Sequence, residues 1–321
     1  MSYSLNIQTN NKLTENIISG RRFDCEHLQI LNKYKIADNY KIQQKITVKR
    51  PGNERFTFVT GASKDFFPTL RKLLYLLKQK FGCSQKIIGY DLGGISEEKN
   101  MMEELNSVCE LEWRKFDWSI MPKDVLSPKA FSWKIHILAE IFTQYDTFIW
   151  MDTSINLEDA KYLDPIFEAI ENRKISEMVF PGGMFTYIPI LTDWIKIVNQ
   201  KWDIEMYDAN FIILHKSEYT RNLLKWALLC AATKQCIEPD GSELYCISPR
   251  TTIGTCHRSD QSVMGILNVN SEYKRSLLDK EFIPHFHPDH PRRKSRSSVQ
   301  RREQLDRNLD FKKGVACCQQ K

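Results

Sequence analysis

Thr147-Phe148-Ile149-Trp150-Met151-Asp152-Thr153-Ser154 decides the fold. Five β-prone or apolar residues run without interruption into an acid, the pattern of a strand that is buried on both faces and then leaves the core. Before it, Trp133, Ile137, Leu138 and Ile141 recur at helical spacing. Further upstream, Phe56-Thr-Phe-Val-Thr60 reads as a strand closed by Gly61-Ala62-Ser63, and Phe66, Phe67, Leu70, Leu73, Leu74, Leu77 and Phe81 form the stripe of a helix. Between these units lie a strand at Gln85 to Tyr90, a polar helix at Ser96 to Asn106 with Ser96 as its cap, and a strand at Cys109 to Phe116.

The same rhythm continues downstream. A helix is expected near Leu163 to Ile170, a short strand at Met178 to Phe180, and a helix carrying Trp194, Ile197 and Val198. A strand at Phe211 to Leu214, a helix at Arg221 to Thr233 and a last helix from about Asp260 to Leu267 follow. Strands alternating with helices predict an α/β fold: a Rossmann-type, mixed but mainly parallel sheet with helices on both faces, in a single main domain. In such a sheet ligands gather at the carboxyl ends of the strands, where Thr60, Asp91 and Asp152 stand. The expected limits are an N-terminal extension at 1–54 that packs only partly, the main domain at 55–290, and a basic, disordered tail at 291–321.

Of the 321 residues, 42% are hydrophobic and 27% charged, a globular composition. The net charge is +6, but the stretch from Pro291 to Lys321 alone carries ten Lys or Arg against three Asp or Glu, so the body is close to neutral. A nucleic-acid partner is therefore not expected, and membrane contact is expected only through the basic tail. Cys230, Cys236, Cys246 and Cys256 fall close together, which suits either a disulfide-stapled loop or reduced cysteines packed inside. There is no Asn-x-Ser/Thr sequon, and the first thirty residues lack the apolar centre of a signal peptide.

Thr60-Gly-Ala-Ser63 has one glycine where a dinucleotide fingerprint needs three, and no phosphate-binding GxxxxGK[ST] loop, GxSxG elbow or HExxH helix occurs. What remains are acids and histidines at chosen places. Asp152 at a strand end could hold Mg2+ or Mn2+ against a diphosphate, or serve as an ordinary turn residue. In Cys256-His-Arg-Ser-Asp260-Gln261-Ser262, Asp260 could bind sugar hydroxyls or merely cap a helix. His285-Phe-His287-Pro-Asp-His290 could complete a metal site or form a solvated loop.

Thr60-Gly-Ala-Ser63, Tyr90-Asp-Leu-Gly93, Phe131-Ser-Trp-Lys134, Trp150-Met-Asp-Thr-Ser154, Asp208-Ala-Asn-Phe211, Trp226 to Cys236 and Cys256 to Ser262 occur in that order. Together they resemble a nematode-expanded animal family of glycosyltransferase-like proteins with the GT-A nucleotide-diphospho-sugar fold, over roughly residues 55 to 270. More distantly, the order of strand-end acid, Asn-Phe strand, Asp-Gln helix and late histidine is similar to glycogenin-type transferases, in which an Asp-x-Asp motif and a histidine hold Mn2+ on UDP.

The resemblance implies transfer of a sugar from a nucleotide-diphosphate donor, UDP-linked, to a glycan or protein acceptor, with Mn2+ or Mg2+ assisting. It implies that Thr60 and Ala62 border the nucleoside, Asp91 the base or ribose, and Lys134 the diphosphate or donor sugar. Asp152 and Ser154 would be metal ligands together with His287 or His285, and Asp260 and Gln261 would face the donor and acceptor sugars. Ser154 stands where such enzymes keep a second carboxylate, so a catalytically inactive binding or scaffold protein of the same fold is the alternative. The resemblance also implies the Golgi or secretory lumen, against a cytoplasmic alternative suggested by the absent signal peptide and sequons. For Lys134 and for Trp226 to Cys236, the reading without function is a surface lysine and plain core.

Overall fold

The computed structural model describes residues 4–9, 12–19, 22–42, 47–187, 205–246, 256–285, 287–295 and 299–301. Six strands build the central sheet: β1 (Phe56–Ser63), β2 (Ile87–Gly93), β3 (Leu111–Lys115), β4 (Thr147–Met151), β5 (Met178–Val179) and β6 (Phe211–His215). Their order is β3-β2-β1-β4-β6-β5. β1 runs parallel to β2 and β4, and β2 parallel to β3, whereas β6 runs antiparallel to β4 and β5. The sheet is therefore mixed and mainly parallel, as the alternation of elements predicts. Its order turns back between β1 and β4, and a doubly wound sheet opens its ligand crevice at that point.

Strand periodicity sorts the core into two layers. Phe56, Phe58, Ile149, Met151 and Ile213 face one side and pack on α1 (Phe67–Phe81), α2 (Lys99–Asn106) and α4 (Asp164–Glu171). Val59, Phe148, Trp150, Ile212 and Leu214 face the other and pack on α3 (Ser132–Gln144), α5 (Glu218–Ala231) and α6 (Ser259–Leu278). Both faces are covered, so each fully buried Phe or Leu contributes roughly 1.5–3 kcal/mol. The helix expected around Trp194 lies outside the described residues.

Three local expectations change. Ser96 does not cap α2, because its N–H binds the Asp91 carboxylate at 2.7 Å and the helix starts three residues later. The last helix runs on to Leu278 rather than stopping near Leu267. Its continuation carries Asn268, Asn270 and Glu272, which look like solvent-facing residues in the sequence but are buried. Packing also passes the expected limit at residue 290. Arg292 is 1% exposed and donates from Nε to the His285 carbonyl at 2.9 Å, while Val299–Arg301 pairs antiparallel with Ile155–Leu157.

The N-terminal extension is fastened to the body where it is described. Leu31, Tyr34, Ile36 and Ala37 join the α3 and α5 core layer. Arg221 of α5 donates from Nη1 to the carbonyls of Ile36 and Ala37 at 2.6 and 3.1 Å, and Lys225 pairs with Asp38 at 2.8 Å. Among the described residues no helix is long and apolar enough to cross a membrane.

Candidate functional site

Strand parity aims Asp152 at its partners. The Asp152 N–H extends the β4–β6 ladder by donating to the Asn210 carbonyl at 2.8 Å, so residues 148, 150 and 152 share a face. That face is covered by α3, whose third residue is Lys134. On β6 the same parity sets Asn210 beside Ile212, opposite Asp152. A cleft opens here at the carboxyl end of β4, lined by Phe131, Lys134, Asp152, Asp208, Asn210 and Arg258, with Asp260 and Gln261 at the start of α6. Its lining is more polar than that of most small-ligand pockets.

Lys134 is the hub. Its ammonium lies 3.0 Å from Asp260 Oδ2 and 3.3 Å from Asp152 Oδ1, and it donates to the Ala209 carbonyl at 3.1 Å. The Trp150 indole N–H donates to the same Asp152 oxygen at 2.7 Å. The reading of Lys134 as a surface lysine is overturned, because its side chain is only 4% exposed and sits over the rings of Phe131, Trp133 and Trp150. Burial works to lower its pKa, but Asp152 and Asp260 outweigh burial and hold it raised. Burial pushes the Asp260 carboxyl up to about 6, and Lys134 opposes that rise.

Both helices that build the cleft begin through strained backbone. Phe131 at the start of α3 has φ 52° and Ser259 at the start of α6 has φ 43°, a left-handed conformation that costs a non-glycine residue roughly 1–2 kcal/mol. These turns stand just before Lys134 and Asp260, which meet at 3.0 Å, and such strain concentrates at working sites.

One amide oxygen on a cleft residue is left without a donor. Asn210 is 6% exposed; its amide donates to Asp208 Oδ2 at 2.8 Å, while its Oδ1 is buried without a hydrogen-bond partner. Nearly all buried acceptors find a donor, so an orphan on a residue that lines the cleft is suited to a ligand hydroxyl.

The structure thus brings together Lys134, Asp152, Asp260 and Gln261. It does not bring the other expected residues to them. Thr60, Ala62 and Asp91 fall on the opposite face of the sheet, with Phe58 and Ile87. Burial works to raise the Asp91 pKa, but the Ser96, Gly93 and Ile95 groups that bind its carboxylate outweigh it and hold it lowered. Thr60 is buried with its hydroxyl unpartnered. Ser154 lies in the turn closed by the Ile155 N–H on the Asp152 carbonyl at 3.0 Å, and does not line the cleft.

The expected Mn2+ or Mg2+ ligands do not form a set. His285 is fully buried; its Nε2 accepts the Phe180 N–H at 3.0 Å, and its Nδ1 meets the carboxylate of Glu272. With both ring nitrogens engaged, burial and then Arg292 hold its pKa well below the usual histidine value. His287 lies on the surface, 3.7 Å from Asp289. Asp152 Oδ1 already receives Lys134 and Trp150. These residues do not fit a divalent ion shared by Asp152, Ser154 and a histidine, and among the described residues no group of three His, Cys, Asp or Glu side chains could hold one.

Leu244, Arg258, Asp260 and Gln261 wall the cleft, and the chain that carries them is covalently fastened. Disulfides join Cys230 to Cys236 and Cys246 to Cys256, settling which of the two cysteine readings holds. The His257 N–H donates to the Glu243 carbonyl at 2.8 Å and its ring contacts the Ile237 carbonyl at 3.1 Å. Sequence reasoning assigned no role to Phe131, Asp208, Asn210 or Arg258. The signal for Asn210 was present: counting back by two from the buried Ile212 points it at the same face as Asp152.

Comparison with known proteins adds the following. Residues 7–139 match a family described as "Protein of unknown function (DUF1647)". No curated protein sequence matches the chain. Solved structures similar to it include the glycosyltransferase GlyE of Streptococcus pneumoniae TIGR4, at 10% identity and a TM-score of 0.36, covering 72% of this chain and 45% of that one. The WbbM bifunctional glycosyltransferase matches at 9% identity and a TM-score of 0.40, covering 69% and 38%. The galactosyltransferase LgtC, solved with donor and acceptor sugar analogues, matches at 10% identity and a TM-score of 0.38, covering 82% and 95%. The chain spans less than half the length of the first two.

Proposed function

We propose that the chain transfers a sugar from a nucleotide-diphosphate donor, UDP-linked on the sequence resemblance, to a hydroxyl of a glycan or protein acceptor. The observation that carries this is the Asp152–Lys134–Asp260 triad at the sheet's switch point, in a cleft that Asn210 also lines. Two carboxylates and an amide carbonyl offer acceptors to sugar hydroxyls, and the Lys134 ammonium between the carboxylates fixes their direction. In the transfer, the acceptor oxygen bonds to the anomeric carbon as the bond to the diphosphate breaks, and the acceptor's proton passes to a base in the cleft or to the departing diphosphate. Pre-oriented groups that meet the charge appearing on the leaving group lower that barrier. The two disulfides favour an oxidising compartment, in keeping with the secretory lumen.

The test is a panel of UDP-sugars with glycan and peptide acceptors, read as UDP release and as sugar transferred. Wild type should turn over at least one donor, and Asp260→Asn should lose on the order of 100-fold or more in rate, the scale of a removed charge-stabilising group. Donor binding without release or transfer would establish the inactive binding protein instead, the reading favoured by Ser154 in place of a carboxylate.

A further inference from the structure

The cleft has two cations and they differ in what is left of their charge. Lys134 is spent on Asp152 and Asp260 at 3.3 and 3.0 Å. Arg258 is not spent. It is half-buried, it lines the cleft, its Nε is buried without a hydrogen-bond partner, and it makes no ion pair among the described residues. A guanidinium nitrogen withdrawn from water without a partner is costly, and a half-buried guanidinium with no ion pair is suited to an anionic ligand.

Its mounting is firm. Arg258 is the residue before α6, its N–H donates to Ser262 Oγ at 2.8 Å, and its carbonyl accepts the Gln261 N–H at 3.0 Å. The chain just before it is held by the Cys246–Cys256 bridge and by the His257 N–H on Glu243. The positive end of the 20-residue α6 helix opens on the same side, since Asp260 and Gln261 of its first turn line the cleft. A planar guanidinium beside a helix N-terminus is suited to two oxygens of a phosphate.

We infer that Arg258 holds the diphosphate of the donor, and that it does so without a divalent cation. This rests on the donor reading above, and it follows from the ligand set: Lys134 already stands between the two carboxylates, and neither His285 nor Ser154 reaches them. Arg258 supplies the positive charge, in a geometry a metal ion would otherwise have to impose.

The experiment is calorimetric binding of UDP and of inorganic pyrophosphate to the whole chain, in EDTA and in Mn2+, for wild type, Arg258→Gln and Arg258→Lys. Wild type should bind UDP with the same affinity in both buffers. Arg258→Gln should bind on the order of 10- to 100-fold more weakly, the scale of a lost charge-assisted hydrogen bond. Arg258→Lys should fall between, because it keeps the charge and loses the two-oxygen geometry; a melting curve matching wild type shows that the loss is not unfolding. UDP binding that appears only with Mn2+, or that is unchanged in a folded Arg258→Gln, overturns the inference. Arg258-dependent binding of pyrophosphate with UDP no tighter keeps the anion site and overturns the nucleotide-donor reading. Binding of neither overturns both.

Discussion

The Lys134 ammonium stands 3.0 Å from the Asp260 carboxylate, and both side chains are only 4% exposed. A buried pair of this kind balances a large desolvation cost against its attraction, so removing one member strands the other. Lys134→Ala leaves Asp152 and Asp260 facing each other and should cost about 3–5 kcal/mol in urea unfolding. Adding Asp260→Asn to that variant should recover part of the loss. A double variant that is less stable than Lys134→Ala alone would show that the two residues do not compensate one another.

The same carboxyl gives a pH signature. Its folded-state pKa of about 6 lies above the ordinary 3.8, so the fold favours the protonated form. The stabilisation is therefore fully present below pH 3.8 and is lost as pH rises to about 6. Unfolding midpoints of wild type relative to Asp260→Asn should accordingly decline between about pH 4 and 6, and the difference should level off above that. A difference that grows over the window would mean that Asp260 is held ionised more strongly than its burial allows.

The Cys246–Cys256 bridge closes a short loop whose two stems carry Leu244 and Arg258 to the cleft wall. In the loop-entropy account, a closure of this length is worth about 2–3 kcal/mol. A Cys246→Ala/Cys256→Ala protein should melt several degrees lower and bind UDP more weakly, whereas a change remote from the cleft of equal cost should lower the melting temperature alone. Unchanged UDP affinity in the double variant would show that the wall keeps its place without the bond.

Truncation after residue 290 should destabilise the protein, against the expectation drawn from the charge of the tail. It removes Arg292, buried with its Nε on the His285 carbonyl, and the strand that pairs with Ile155–Leu157. Arg292→Ala alone should cost about 1.5–3 kcal/mol, since hydrogen bonds to charged groups lie in that range. Equal melting temperatures for the full chain and the 1–290 chain would show that these contacts add nothing.

What the sequence determined by itself is the succession of elements and the address of the site. Thr147 to Met151 is apolar enough to be buried on both faces, and Phe67 to Phe81 repeats at the helical period, because local spacing reports which side of an element meets the core. Period-two counting from Trp150 even settles the face on which Asp152 emerges. Tertiary structure alone decided which charges meet. Lys134 and Asp260 are far apart in the chain, and only the stacking of α3 and α6 on one sheet face makes them partners. The fate of His285 was equally hidden, since a histidine in a Pro-flanked segment looks solvated until Glu272 and the Phe180 N–H close around it. The basic tail misled for the same reason: a charge count records the cost of burying Arg292 but not the carbonyl that offsets it. Long-range polar pairing leaves no period in the sequence, because it depends on where distant segments are brought together and not on how neighbouring residues repeat.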